Sequence, residues 1–232
     1  MGRRIPFLLI VFQAVATVLT DDLLHYITDK SFDTALRECA QYFLISNETL
    51  ARYYQQRFPC VDEVKQLVRC TMINLNAYDD NTGPLENVLG NFFKPHVWDT
   101  KHTERTKNCV ARALNRTSPS DVFQRAYDTF ICYYHQLGTL VSDDQLVPCT
   151  PLEFKQVMTF VESALNMPAE VLLQYSQGNV LNEPSYPNAL YIFAVRAGYY
   201  SVSDGIQLGN LYTQFGVPEI SMTLRHRRCA NS

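Results

Sequence analysis

The sequence predicts an all-α, disulfide-stapled protein, and three observations lead there: a secretory leader, seven cysteines, and apolar residues at helical spacing in two related halves. Arg3 and Arg4 precede the apolar run from Ile5 to Phe12, and Ala14-Val15-Ala16 comes next, which is the order of a secretory signal peptide. Gln13 interrupts the run and Asp21-Asp22 closes it, so it is short for a bilayer span of about 20 residues. We expect residues 1–20 to be removed and the mature chain to be secreted and extracellular, with no membrane insertion. Loss of Arg3 and Arg4 makes the mature chain more acidic than the net charge of -3 carried by the full sequence.

An acidic surface does not supply the Lys/Arg field that nucleic-acid phosphates demand, which excludes nucleic acid as a partner. The one basic cluster, Arg225-His226-Arg227-Arg228, reads as a solvated tail. Two sequons, Asn47-Glu48-Thr49 and Asn115-Arg116-Thr117, mark Asn47 and Asn115 as glycosylation acceptors of an extracellular chain. Ser46 and Asn47 suit a helix N-cap as well.

The offset that carries Leu50 onto Leu172 also carries Tyr53 onto Tyr175, Tyr78 onto Tyr200, Gly83 onto Gly205, Phe32 onto Phe154 and Leu89 onto Leu211. The second half therefore reads as a partial copy of the first. In the first half, helical periodicity covers residues 23–36, 50–58 and 64–75, the last through Val64, Leu67, Val68, Met72 and Leu75. The run Tyr78-Asp79-Asp80-Asn81-Thr82-Gly83 then stops the helix. Next come a short helix over 85–93, a loop from Pro95, a helix over 103–114 and a long helix opened by Ser118-Pro119. The long helix alternates an apolar face (Val122, Phe123, Ala126, Tyr127, Phe130, Ile131, Tyr134) with Gln124, Arg125 and Asp128 opposite. No strand alternation competes with these helices.

The second copy opens at Thr150-Pro151-Leu152-Glu153, where Thr caps, Pro suits the first helical position and Glu closes a capping box. Helices are expected over 168–175, 186–197 and 204–215. The copy stops two helices short of the first and is expected to pack against it. The domains are thus 21–140 and a truncated 149–232.

Seven cysteines in a secreted chain imply disulfides, and the odd count leaves at least one thiol unpaired or intermolecular. No Cys or His pair has zinc-finger spacing, so no metal site is expected. Ala35-Leu36-Arg37-Glu38-Cys39, residues 50–58, Gln66-Leu67-Val68-Arg69-Cys70, Tyr78-Asp79-Asp80, Gly83, Cys109 and Ala126-Tyr127 before Cys132 together carry a family resemblance. The chain resembles the insect odorant-binding proteins of the pheromone and general odorant-binding type, especially the long two-domain atypical forms of mosquitoes. The resemblance is strongest over 22–135.

The resemblance implies bridges Cys39–Cys70 and Cys109–Cys132, because two of the family's six cysteines fall on Gln66 and Phe123, and those two are each other's partners. Cys60, Cys149 and Cys229 lie outside the scheme. Our preferred third bridge is Cys149–Cys229, with Cys60 linked to either of them as the rival.

The family's central apolar cavity is implied here too, and 14 Tyr and 13 Phe suit a lined pocket. Any single ring can equally be core. The candidate ligand contacts are Tyr127, Phe130, Ile131 and Tyr134 on the long helix, with Phe123 expected on the same inner face in place of a cysteine. Met72, Leu89, Phe92 and Phe93 join them from the middle helices. Trp98 joins from the loop expected to cover them, as a packing anchor or as a gate. Whether Asp128 or Glu104 points inward is left open.

No nucleophile elbow, His-Glu-x-x-His run or phosphate loop accompanies His96, His102 or His135, so no catalytic residue and no cofactor is expected. The histidines read as structural, with a pH-sensitive latch through His102 or His135 as the rarer reading. By resemblance, the function is extracellular transport of a small hydrophobic odorant or pheromone in olfaction, with an olfactory receptor or a homodimer as further partners. The alternatives are a salivary-type scavenger of biogenic amines or lipid mediators, and a dimerising interaction protein with a closed cavity.

Overall fold

The computed structural model describes residues 28–181 and 183–220. The leader, the basic tail and Cys229 lie outside the described residues. The order of the first half is α1 (Phe32–Tyr42), α2 (Asn47–Gln55), α3 (Asp62–Asn74), α4 (Glu86–Leu89), α5 (His102–Arg116) and α6 (Val122–Cys132). The second half holds α7 (Pro151–Ala164), α8 (Ala169–Ser176), α9 (Tyr186–Arg196) and α10 (Leu208–Phe215).

Local chemistry sets the helix starts. Ser31, Ser46 and Asp121 each accept a backbone N–H in the first turn of α1, α2 and α6. Thr150 and Glu153 form the anticipated capping box at α7, with Pro151 leading the helix. Several boundaries differ from expectation. Of the helix expected over 23–36, residues 23–27 lie outside the described residues, and α1 begins at Phe32 because Asp29–Lys30 pairs antiparallel with Gln145–Leu146 and Ser31 caps the helix behind that pairing. The long helix opens at Val122 behind its Asp121 cap, not at Ser118. The helix expected over 85–93 shortens to α4 and one 3-10 turn, since Phe93–Lys94 pairs with Thr139–Leu140. Gly138 lies beside that pairing, where a Cβ would collide with the Lys94 carbonyl.

The main core fills the space between α1, α3 and α6. Phe32, Leu36, Cys39, Leu67, Val68, Met72, Leu75, Leu89, Phe92 and Phe130 bury their side chains in it. The bridges implied by the resemblance are both present. Cys39–Cys70 ties α1 to α3, and Cys109–Cys132 ties α5 to α6. Cys60 stands as an exposed thiol and Cys149 as a partly buried one, and Cys229, the partner preferred for Cys149, lies outside the described residues.

The duplication read in the sequence recurs in the backbone. Tyr78–Asp79 pairs with Gly83–Pro84, and Tyr200–Ser201 pairs with Gly205–Ile206 in the same register. Gly83 and Gly205 hold φ of 85° and 75° in those turns. Helices α1 and α7 both end through a left-handed residue, Leu44 at φ 57° and Asn166 at φ 45°. Asn76 and Gly198 do the same after α3 and α9. A smaller core of Leu146, Val157, Ala197 and Tyr199 serves the second half.

The halves meet through side-chain amides that bond to backbone and, once, to a hydroxyl. Asn87 Nδ2 donates to Thr213 O at 2.7 Å, and Asn91 Nδ2 reaches Thr213 Oγ1 at 2.8 Å. Gln214 accepts from the Cys149 N–H at 2.7 Å and donates back to the Cys149 carbonyl at 3.1 Å.

In the chain-entropy account, removing the bridge of sequence separation 31 by the paired change Cys39→Ser and Cys70→Ser should cost about 3 to 4 kcal/mol. Urea unfolding of the oxidised protein measures it, and no shift in midpoint would contradict the account.

A second expectation concerns acid. Lys30 Nζ at 2.7 Å, then Asn74, holds the Glu38 carboxyl below its ordinary value of 4.5. The stabilisation is complete above that value and is lost as pH falls through the lowered pKa. Glu38→Gln should flatten the loss of stability as pH falls below 4.5. An unchanged acid limb would refute the assignment.

Candidate functional site

Phe130 organises the site. Its ring stacks on Phe32 at 5.3 Å and on Tyr134 at 5.5 Å, and meets the edge of Phe58 at 4.9 Å. Phe93 lies 6.2 Å away and continues to Tyr133 at 5.7 Å. Tyr127 Oη donates to the Phe58 carbonyl at 2.8 Å, so a buried hydroxyl is satisfied without water. Burial, with the Cys60 thiol and Asp128 nearby, pushes this phenol up to about 12. Phe58 holds left-handed φ of 59°, a conformation sparse for an aromatic residue, and two faces of the cluster grip its ring.

Of the ten ligand contacts anticipated from the sequence, the structure gathers eight here: Met72, Leu89, Phe92, Phe93, Tyr127 and Phe130 buried, Ile131 and Tyr134 half-buried against them. Two are elsewhere. Trp98 is 85% exposed and covers nothing. Phe123 is 41% exposed, with the Arg69 guanidinium 5.1 Å from its ring centre, so it is not on the inner face. The inner face of α6 runs through Ala126, Tyr127 and Phe130, and Phe123 stands at the helix's first turn, where the surface is still open.

The gathered rings fill the interior, and free space lies beside them. A cleft of about 440 Å³ has Phe93 and Tyr133 in its floor, with Gly90, Asn91, Thr106, Leu137 and Tyr212 among its walls. Glu86 and Lys107 face each other across it in an ion pair of 2.8 Å, which raises the Lys107 pKa. Burial raises the Tyr133 phenol strongly, aided by the negative charge of Glu86. His102 lines the cleft with its Nδ1 paired to the Asp99 carbonyl, whereas His135 is exposed and packs its ring 5.3 Å from Tyr134.

Neither acid considered from the sequence enters the cleft. Asp128 is occupied by Gln124 and Thr117 at 2.7 and 3.0 Å, and Glu104 is exposed. Glu86, Lys107 and Tyr133 were the residues missed. Tyr133 lies seven residues after Ala126 and three after Phe130, so it continues the buried face of α6 into the π turn over Tyr133–Leu137. Among the described residues, no three His, Cys, Asp or Glu side chains cluster as a metal site.

A helical shell stapled by two disulfides around an aromatic interior, with a cleft leading to it, defines a small-molecule binding protein. A family model described as the PBP/GOBP family matches residues 25–136. General odorant-binding protein 69 of Anopheles gambiae is 30% identical over 165 residues, covering 65% of this chain and 69% of that protein. The crystal structure of the Anopheles gambiae Odorant-binding Protein 22a is similar at 23% identity and a TM-score of 0.36, over 44% of this chain and 96% of that one. The chain belongs to the PBP/GOBP family of odorant-binding proteins, a family of carriers rather than catalysts.

The contrast between Phe130 and Phe123 can be measured. Phe130→Ala should cost about 3 to 5 kcal/mol of stability, whereas Phe123→Ala should cost under about 1 kcal/mol. Denaturant titration of both variants checks this, and equal losses would place Phe123 inside after all.

Proposed function

We propose that the chain is an extracellular carrier of small hydrophobic odorants or pheromones, and that ligand enters by the cleft of the first half and rests on Phe93 and Tyr133. The supporting observation is the unbroken aromatic path from that floor through Phe130 to Phe32 and Phe58. Binding then gains about 25 cal/mol per Å² of apolar surface removed from water. A ligand polar group would meet Thr106, His102 or the Glu86–Lys107 pair at the rim.

In this reading residues 1–20 are a cleaved leader, 21–140 the carrier domain and 149–232 a partial second copy. No helix among the described residues is long and apolar enough to cross a membrane, which fits release from the cell. Asn47 and Asn115 are both exposed, as glycan acceptors must be. An olfactory receptor or a second copy of the chain would be the macromolecular partner.

One observation favours scavenging of biogenic amines instead: the Glu86 carboxylate is the acid on the cleft wall. Lys107 already neutralises it, which is why the apolar carrier is preferred.

N-phenylnaphthylamine should bind with a fluorescence rise and be displaced by long-chain alcohols or aldehydes. Thr103→Trp, at the exposed mouth of the cleft, should weaken its uptake by about tenfold or more. Displacement by amines or eicosanoids alone would replace the carrier reading with the scavenger, and no uptake by the folded protein would leave a dimerising interaction protein.

A further inference from the structure

The second half contains an apolar pocket of about 300 Å³ that is separate from the cleft of the first half. Phe154, Met158, Val161, Tyr186, Ala189 and Phe193 line it. At the repeat offset these positions are Phe32, Leu36, Cys39, Val64, Leu67 and Thr71, every one of them with 0% exposure in the first half. The pocket is thus the counterpart of the main core.

In the first half that space is occupied by side chains of α6. Phe130 lies on Phe32 at 5.3 Å, and Tyr127 brings a ring with one hydroxyl that donates a single hydrogen bond. Among the described residues, no helix covers the second half as α6 covers the first. Ala189 stands in place of the larger Leu67, while Tyr186 and Phe193 stand in place of Val64 and Thr71, so the lining is more aromatic than its first-half counterpart. The volume falls at the lower end of small-molecule sites, and two methionines, Met158 and Met167, let the wall adapt.

The polar groups on the wall narrow the ligand. Tyr175 Oη sits in a hydroxyl pair with Ser185 Oγ at 3.1 Å, and Glu162 adds a carboxylate at the edge. A hydroxyl can join the first by donating or accepting. The second repels anions, so fatty acids and benzoates are disfavoured.

We infer that the pocket on α7 and α9 is a second ligand site, and that it takes a small uncharged aromatic ring bearing one hydroxyl, a phenol or aromatic alcohol. Such a ligand matches the pocket's aromatic lining and can join the Tyr175–Ser185 hydroxyl pair. The site is independent of the carrier cleft and stands whether or not that cleft binds odorants.

Fluorine NMR of para-fluorophenol, titrated with the full chain, should show saturable broadening, and para-fluorobenzoate should show none. Ala189→Leu, which restores the first-half side chain to the floor, should weaken phenol binding by about tenfold or more. Leu190→Trp, at the 48% exposed rim, should do the same without touching the core. Circular dichroism checks that both variants are folded, and Thr103→Trp in the cleft should leave phenol binding unchanged. Absence of saturation, equal binding of the benzoate, retention of affinity in both folded pocket variants, or loss in Thr103→Trp would each overturn the inference.

Discussion

Phe130 has to be gripped on both faces at once, by Phe32 of α1 and Tyr134 beyond α6, with Phe58 at its edge. That demand sets the spacing of the first half. Helix α6 cannot slide along α3 without opening a void, and core voids are costly because close-packed neighbours relax only in part. The two disulfides act on the same geometry from either side. Cys39–Cys70 fixes α1 against α3, and Cys109–Cys132 fixes α6 against α5, so both walls of the Phe130 slot are braced covalently. The Tyr127 hydrogen bond to the Phe58 carbonyl pins the remaining edge and holds a left-handed residue in place.

The same scaffold appears twice and is finished in two ways. In the first half the chain fills its own interior with rings, and free space is displaced to a half-polar cleft where α4, α5 and the π turn meet. In the second half the equivalent interior faces an apolar pocket bounded by α7 and α9. Backbone features recur at the repeat offset even where side chains have diverged: Leu44 and Asn166, or Asn76 and Gly198, share left-handed geometry without sharing chemistry. Side chains lost in pairs tell the same story, since Cys39 and Cys70 correspond to Val161 and Ile192.

Much of this was legible in the residues. Helical periodicity places Val64, Leu67, Val68 and Met72 on one buried face, and the capping box at Thr150 is found where its residues stand. Legibility ends where tertiary contacts override local pattern. Phe93 sits in an apolar helical window, yet a strand pairing with Leu140 draws it into extended backbone. Phe123 keeps the spacing of an inner-face residue, but its ring lies at the surface under the Arg69 guanidinium of α3. Trp98 has no periodic partner at all, so only coordinates could place it in solvent. Tyr133 stands at helical spacing from Ala126 and Phe130, so its burial is legible in the periodicity even though Tyr134 is the ring expected from the sequence as a pocket contact.

The clasp between the halves has a consequence for how the chain can vary. Asn76 Nδ2 binds the Pro148 carbonyl at 2.9 Å, and Gln214 brackets the N–H and C=O of Cys149. Both amides grip the main chain of the linker, and the linker's own side chains take no part in those bonds. Residue identity at these linker positions is therefore open to drift while the path of the linker is held. Divergence can accumulate at the seam between the two units without loosening the way they are joined.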